Sequence, residues 1–254
     1  MKLVVLGSGT SVLHARRASP AFWLQTNTGG VLLDIGSDAL HRMAQERLDW
    51  ANLQAIWVSH FHLDHLGGLA PFLFGMKWAP QTQSRRQQLS IYGPTGLTGL
   101  VKAIDESYEY RLLDQQYPVD IVEVGPGVQL EVLTGLNAET FSTPHTKESL
   151  AIRLQDVQNS SLVYTSDTGY SEGLIDFAKH ATVLLMECSF RLNKPLKTHL
   201  ELVEAIALAR ACAPQKLVLT HLYPECDNFD LRSEAKELWP GETIEAVDGL
   251  ELEF

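Results

Sequence analysis

The chain has 254 residues, of which 45% are hydrophobic, 20% charged and 8% aromatic, and its formal net charge at pH 7 is −11. This composition is ordinary for a globular protein, and the acidic balance argues against broad, non-specific nucleic-acid binding. Three scattered cysteines (Cys188, Cys212 and Cys226) form neither a disulfide framework nor a CxxC metal site. No run reaches the ~18 apolar residues of a membrane span, and MKLVVLGSGT lacks the long apolar stretch of a signal peptide. We therefore predict a cytoplasmic protein without membrane contact.

The first half of the chain alternates between strand and helix patterns. Apolar and alternating runs indicate strands at 2–6, 21–26, 31–35, 55–59, 89–93 and 119–124. The turn Asn27–Gly30 joins the second and third strands as a hairpin. Helical spacing predicts helices at 38–48, with Asp38 as a candidate N-cap, at 66–78, interrupted at Pro71, and from Pro94 to about Tyr108. Residues 81–88 indicate a solvated loop.

The second half repeats this arrangement. Strands are predicted at 128–135, 138–144, 150–155, 160–167, 182–188 and 216–221, followed by two terminal fragments, and helices at 171–179, 198–212 and near 231–238. Hairpins require antiparallel pairs, whereas strand–helix–strand units require parallel ones. The mixture predicts an α/β fold in which two mixed sheets face each other with helices on the outer faces, a four-layer sandwich. A single domain over residues 1–254 is the simplest organisation.

A dense group of ligand-type side chains follows the predicted strand AIWVS. The segment 59–68, SHFHLDHLGG, places His60, His62, Asp64 and His65 within six positions. Side chains two apart in a non-helical turn project the same way, so His60 and His62 can hold one ion while Asp64 and His65 turn towards a second. Imidazole nitrogens and carboxylate oxygens at about 2 Å are common metal ligands. The HxHxDH pattern therefore predicts half of a two-metal site rather than a solvated polar loop.

Further candidate ligands lie at the ends of other predicted strands. They are His145 in FSTPHTKES, Asp167 in VYTSDTGY and His221 in LVLTHLYP. Each of them alone fits a capping or turn role as well as a ligand role. Together with the first group they make five histidines and two aspartates, which is enough for two ions with Asp167 bridging them.

The order of these motifs resembles that of the metallo-β-lactamase fold superfamily of hydrolases. The resemblance runs from GSGTS near the N-terminus to LTH near the C-terminus. It implies the αββα sandwich of that fold, with ligands on loops along one edge of the two sheets, and two divalent metal ions. Imidazole-rich sites favour Zn²⁺, and Mn²⁺ or Fe can occupy similar ones. By this likeness one metal is held by His60, His62 and His145, the other by Asp64, His65 and His221, and Asp167 bridges them.

Two segments point to the ribonuclease Z and phosphodiesterase branch. LLMECSF (184–190) resembles the strand of that branch that ends in His-Glu-Ala-Thr-Phe, so Glu187 matches its glutamate and Met186 replaces its histidine. KTHL (197–200), at the start of the predicted helix, matches the catalytic histidine with His199. The alternatives are a structural, paired carboxylate for Glu187 and a solvent-facing helix residue for His199. Cys188, next to Glu187, is predicted to be a core residue of the strand rather than a ligand.

The resemblance implies a metal-dependent phosphodiesterase that uses a metal-bridging hydroxide. His199, oriented by Glu187, would protonate the departing alkoxide, a contribution of ~10²–10⁴-fold in rate. Asp64, His199 and Glu187 are thus the candidate catalytic residues. The alternatives are an ester, thioester or lactone hydrolase on the same scaffold, with Tyr223 binding a carbonyl oxygen, and a non-catalytic metal-binding regulator.

The chain departs from ribonuclease Z in one interval. That family carries a long tRNA-binding arm between its third and fourth metal motifs, whereas here His145 and Asp167 are 22 residues apart. We therefore expect a smaller phosphodiester, such as a cyclic nucleotide or a nucleic-acid end, as the substrate. Arg16, Arg17 and Lys147 are candidate phosphate contacts. The family likeness also implies a homodimer.

Overall fold

Fourteen strands and seven α-helices make up the computed structural model, which describes residues 1–254. No helix in it is long and apolar enough to cross a membrane. The elements in chain order are β1 (Lys2–Gly7), β2 (Ala21–Gln25), β3 (Gly30–Leu33), α1 (Ala39–Gln45), β4 (Ala55–Trp57), α2 (Leu63–Leu66), α3 (Leu69–Trp78), β5 (Leu89–Pro94), α4 (Leu97–Glu106), β6 (Val119–Val124), β7 (Gln129–Leu133), β8 (Leu136–Ser142), β9 (Leu150–Asp156), β10 (Ser161–Tyr164), α5 (Gly173–Phe177), β11 (Val183–Glu187), α6 (Leu202–Cys212), β12 (Lys216–Thr220), α7 (Leu231–Leu238), β13 (Glu242–Glu245) and β14 (Glu251–Glu253).

The strands form two seven-stranded mixed sheets. The first has the order β14-β1-β2-β3-β4-β5-β6 and the second the order β13-β12-β11-β10-β9-β8-β7. In the first sheet the pairs from β14 to β3 are antiparallel and those from β3 to β6 parallel. The second repeats the pattern, antiparallel from β7 to β10 and parallel from β10 to β13. The predicted pair of mixed sheets is confirmed.

Alternation along the strands builds the layers, because successive side chains point to opposite faces of a sheet. In β1, Leu3 and Val5 enter the core between the two sheets, while Val4 and Leu6 enter a second core under helices α1, α3 and α4. In the second sheet, Leu185 of β11 faces the first sheet, and its neighbours enter a third core with helices α5, α6 and α7. The four-layer αββα sandwich is therefore confirmed.

Three local predictions were wrong. Helix α3 runs through Pro71 without interruption, because this proline lies in the first turn, where a backbone N–H has no helical partner. Helix α6 begins only at Leu202, where Glu201 and Glu204 form a reciprocal capping box. The segment 81–88 is not all solvated, since the buried guanidinium of Arg85 donates to four backbone carbonyls.

The termini are tied together by a buried arginine. Arg17 donates from Nε to Asp227 (2.8 Å), from Nη2 to Glu245 (2.7 Å) and from Nη1 to Ser8 Oγ (3.0 Å) and the Ala246 carbonyl oxygen (2.6 Å). Every one of its guanidinium nitrogens is therefore engaged, and the prediction that Arg17 contacts phosphate was wrong. Its role is to join the loop after β1 to the last segments of the chain.

We expect Arg17→Ala to destabilise the fold rather than impair substrate binding. Removing one partner of a buried ion pair typically costs about 3–5 kcal/mol, since the remaining charges lose their compensation. Urea unfolding followed by tryptophan fluorescence would measure the loss. Exposed Lys147, which forms no ion pair, is the control: Lys147→Ala should leave the midpoint unchanged. A raised KM with unaltered stability for Arg17→Ala would contradict the structural role.

Candidate metal centre

The carboxyl ends of several strands meet at one edge of the two sheets, and loops from this edge carry the candidate site. The chain leaves β4 in extended form up to His62, which occupies the N-cap position of α2 with φ −65° and ψ 143°. Asp64 and His65 then lie in the single turn of α2. The change from extended chain to helix turns Asp64 and His65 away from the direction of His60 and His62, as the spacing predicted.

The other three predicted ligands come from the second sheet. His145 lies in the loop between β8 and β9, Asp167 follows β10, and His221 follows β12. Ser166 and His221 have positive φ values of 54° and 57°, a conformation that non-glycine residues adopt rarely and often at functional sites. These turns direct the side chains into the edge, and the structure brings all seven predicted ligands into one cluster.

Asp167 lies at the centre of this cluster, and its two oxygens face different groups of histidines. Oδ2 is 3.6 Å from His145 Nε2 and 3.9 Å from His60 Nε2. Oδ1 is 3.2 Å from His65 Nε2 and 3.3 Å from His221 Nε2. This carboxylate therefore lies between two sets of nitrogens and can be shared by both.

Asp64 and His62 complete the two groups. Asp64 Oδ2 is 3.5 Å from His221 Nε2 and 3.7 Å from His65 Nε2. His62 Nδ1 is 3.0 Å from His145 Nε2. The ligand-type atoms of His60, His62, His145 and Asp167 lie within 4.8 Å of one another, as do those of Asp64, His65 and His221.

The cluster passes a chemical test for metal binding. His60 Nε2, His65 Nε2, His221 Nε2 and Asp167 Oδ1 are buried and have no hydrogen-bond partner. Buried polar atoms are almost always paired, because an unpaired one costs ~1–3 kcal/mol. Four such atoms facing one another are instead what a divalent cation would satisfy. His/Asp clusters of this kind suit a divalent metal site.

The opposite ring nitrogens are held by partners that orient the imidazoles. His65 Nδ1 is 2.6 Å from Asp34 Oδ2, His60 Nδ1 is 3.0 Å from Ser59 Oγ, and His145 Nδ1 donates to the Thr198 carbonyl oxygen at 3.0 Å. An Nδ1–H donated outward leaves the Nε2 lone pair directed inward, which is the state a metal ligand requires.

Asp34 is a site residue that sequence reasoning missed. It is fully buried with φ 55° and accepts hydrogen bonds from His65 Nδ1, Ser59 N and Oγ, and the Tyr164 hydroxyl. Tyr164 comes from the second sheet, so this carboxylate also links the two sheets beneath the cluster. The signal was present in VLLDIG, where a charged residue interrupts an otherwise continuous apolar run.

His199 and Glu187 form a buried pair beside the cluster. His199 Nδ1 is 3.0 Å from Glu187 Oε1, and Glu187 also accepts from the backbone N–H groups of Thr168 (2.7 Å) and Leu200 (3.1 Å). The predicted placement of His199 at the start of a helix was wrong, since it lies three residues before α6. It is 6% exposed, so it is not a solvent-facing helix residue.

Burial and charge act in opposite directions on these groups. Burial lowers the pKa of His60 and of His145, which favours the neutral imidazole. Burial raises the pKa of Asp167, but the surrounding histidines, His221 first, together lower it by more. The pKa therefore lies well below its ordinary value. Burial lowers the pKa of His199, but the hydrogen bond and charge of Glu187 together with the charge of Asp167 raise it by more, so the pKa lies above its ordinary value.

The remaining candidates lie at the margin of the site or in the core. Tyr223 is half-buried and stacks on Phe190 at 4.7 Å between ring centroids, and its ring centroid is 6.4 Å from that of His221. Met186 and Cys188 are fully buried in the core under α6, so the core position of Cys188 is confirmed. Arg16 pairs with Asp227.

Comparisons with known proteins find metallo-hydrolases of similar sequence and fold. The family model described as anti-Pycsar protein Apyc1 matches residues 1–239. The probable metallo-hydrolase YhfI of Bacillus subtilis is 26% identical over 98% of both chains, and a ribonuclease Z of Ignicoccus hospitalis is 26% identical over 94% of both. The crystal structure of YhfI, a metallo-β-lactamase fold protein, superposes with a TM-score of 0.84 over 100% of this chain and 99% of that one.

The fold and the His/Asp cluster define a metal-dependent hydrolase of the metallo-β-lactamase fold, in the ribonuclease Z-like branch. The resemblance seen in the sequence is thereby confirmed. Within this class, the chain belongs to the anti-Pycsar protein Apyc1 family.

Proposed function

We propose that this protein is a dinuclear metal-dependent phosphodiesterase. The observation that carries the proposal is the position of Asp167 between two groups of buried nitrogens, with the His199–Glu187 pair next to it. The leaving group of an activated ester departs without a separate proton donor, whereas an alkoxide leaving group needs one. The ribonuclease Z name of a 26% identical relative supports the same reaction class.

The seven clustered residues would hold the ions: His60, His62 and His145 one of them, Asp64, His65 and His221 the other, with Asp167 shared. When bound, two divalent ions supply a water of lowered pKa as the nucleophile and offset charge on the phosphoryl oxygens. The choice among Zn²⁺, Mn²⁺ and Fe belongs to this proposal, and the imidazole-rich set favours Zn²⁺.

The chain's own residues orient the reactants and move protons. Burial raises the pKa of Asp64, but the nearby His221 and His65 together lower it by more, so Asp64 stays a carboxylate that can accept a hydrogen bond from the nucleophile. Glu187 holds His199 Nδ1–H, which leaves Nε2 of the protonated ring free to donate to the departing oxygen. His199 is thus the general acid, and Glu187 sets its tautomer and favours its protonated form.

A small phosphodiester, such as a cyclic nucleotide or a nucleic-acid end, is the proposed substrate. Between His145 and Asp167 the chain contains only β9 and β10 with a short turn, so this interval has no arm that could hold a large RNA. The formal charge of −11 also disfavours a polyanion spread over the surface. The homodimer and the cytoplasmic location stay predictions.

A substrate panel tests the reaction class. We expect turnover of bis(p-nitrophenyl) phosphate to exceed that of a thioester and of a lactone, and a chelator to remove it until divalent metal is restored. The measurement is kcat/KM for each substrate at matched metal content. Cleavage of the lactone alone would instead favour the alternative, an ester, thioester or lactone hydrolase. In that enzyme Tyr223, beside His221, would bind the carbonyl oxygen.

The pH profile should report the pair of His199 and Glu187. Activity that needs protonated His199 is lost as the pH rises through the pKa of that histidine, and Glu187 raises this pKa. Glu187→Gln should therefore move the alkaline limb of kcat/KM to lower pH. Glu172→Gln is the control, because it makes the same change from carboxylate to amide at an exposed position outside the site. An alkaline limb that does not move would contradict His199 as the proton donor.

A further inference from the structure

Ser189 is a fully buried residue that lies two positions after the end of β11, between the two parts of the site. Its Oγ is 2.7 Å from Glu187 Oε2, 2.9 Å from His221 Nδ1 and 3.2 Å from His199 Nδ1. No other side chain in the structure lies within hydrogen-bonding distance of all three of these residues. A metal-ligand candidate and the proton-donor pair therefore meet at one hydroxyl.

The chemistry of a hydroxyl matches this position. A serine hydroxyl has one proton to donate and two lone pairs that accept. Here the Oγ–H donates to the carboxylate of Glu187, and the oxygen accepts Nδ1–H from His221 and, more weakly, from His199. This direction leaves Nε2 of His221, a buried atom without a hydrogen-bond partner, as a lone pair pointing at Asp167 and Asp64.

We propose that Ser189 is a positioning residue that couples metal binding to proton donation. Through His221 it fixes the tautomer and ring orientation of one metal ligand, and through Glu187 it holds the carboxylate that orients His199. The inference deepens the proposed function and rests on it for the second of these roles. The first role depends only on metal binding.

The hydroxyl can be removed without removing the backbone contacts of Ser189. Its carbonyl oxygen accepts from Tyr223 N at 3.3 Å and from Cys226 Sγ at 3.5 Å, and these bonds hold the loop after His221. Ser189→Ala keeps them and deletes only Oγ. It leaves His221 Nδ1–H buried without an acceptor and Glu187 with one donor fewer. Ser189→Thr restores the hydroxyl, and threonine occupies this position in the family strand His-Glu-Ala-Thr-Phe that LLMECSF resembles.

Two measurements on Zn²⁺-loaded protein test the proposal. The first is Zn²⁺ release to a competing chelator without substrate, for which Ser189→Ala should show a ~10–100-fold lower affinity, the usual effect of losing an outer partner of a ligand histidine. The second is the ratio of turnover for an alkyl phosphodiester to that for bis(p-nitrophenyl) phosphate. This ratio should fall in Ser189→Ala, because only the alkyl leaving group requires the acid. Ser189→Thr should recover both values.

Thr220→Val is the matched control. Thr220 ends β12 directly before His221, and its buried Oγ1 has no hydrogen-bond partner. This variant therefore removes a hydroxyl next to the same ligand without removing a hydrogen bond, and Zn²⁺ release should match that of the wild type.

The outcomes separate the proposal from the proposed function. Unchanged Zn²⁺ release and an unchanged leaving-group ratio in Ser189→Ala overturn the role of Ser189, even if phosphodiester turnover is high. Equal defects in Ser189→Ala and Ser189→Thr also overturn it, because packing would then explain both. Absent phosphodiesterase activity with weakened Zn²⁺ retention in Ser189→Ala would sink the proposed function and keep the role of Ser189 towards His221.

Discussion

Asp167→Ala is expected to lose bound metal and nearly all hydrolytic activity. Its two oxygens are the only carboxylate atoms that face both groups of histidines, and Oδ1 is buried without a hydrogen-bond partner. Removing it leaves several imidazoles converging on a region with no shared negative charge. The loss of activity should exceed the ~10–100-fold that is typical for residues that only support a ligand. Elemental analysis of dialysed protein and kcat/KM measured on the same sample would check this expectation.

Asp156→Ala is the matched control for this variant. Asp156 ends β9 in the same sheet but at the opposite edge, where its side chain accepts from Gln158 N and Ser160 N. The same chemical change there should leave metal content and turnover intact, at some cost in stability. Full metal content in Asp167→Ala would show that the two groups of nitrogens hold their ions without a shared carboxylate, which would contradict the role given to Asp167.

The candidate site was largely predictable because its most informative part is local. HxHxDH places four ligand-type side chains within six positions, and their directions follow from the switch of extended chain to helix at His62. His145, Asp167 and His221 could be placed at the same edge because each follows a predicted strand. The strands were equally accessible, since short apolar runs such as residues 3–6 are readable from the sequence.

The supporting contacts were not predictable, because they join positions far apart in the chain. Asp34 receives the Tyr164 hydroxyl from 130 residues away, and Ser189 contacts His221 across 32. Nothing in the local pattern around a buried serine or a strand-ending aspartate states which histidine it faces. Only the register and stacking of the two sheets decide this.

Basic residues near the N-terminus illustrate the opposite error. The segment ARRASP suggested phosphate binding, yet the guanidinium of Arg17 is paired with Asp227 and Glu245 near the other end of the chain. The −11 charge leaves many carboxylates available for such pairing. A cation in an acidic protein is therefore more often a structural partner than a free anion-binding group, and burial distinguishes the two cases.

His199→Ala is expected to separate metal binding from proton donation. His199 Nδ1 is already engaged by Glu187 at 3.0 Å and lies 4.0 Å from Asp167 Oδ2, so the ring acts beside the metal ligands rather than among them. The variant should keep its metal and lose ~10²–10⁴-fold in turnover of an alkyl phosphodiester. The loss for bis(p-nitrophenyl) phosphate should be smaller, because p-nitrophenolate departs without protonation.

The decisive comparison is with His41→Ala, which changes an exposed histidine of α1 whose only side-chain hydrogen bond is with Gln45. Both variants remove one imidazole, so a difference in metal content or activity between them results from the position of His199 and not from the loss of a histidine as such. The ligand-type atoms of His199, Asp167 and His221 also lie within 4.8 Å of one another, so these three residues could hold an ion. If His199→Ala loses metal together with activity while His41→Ala does not, His199 is a ligand and the general-acid mechanism is wrong. If it keeps metal and loses activity equally on both leaving groups, His199 serves substrate binding, and another group must protonate the departing oxygen.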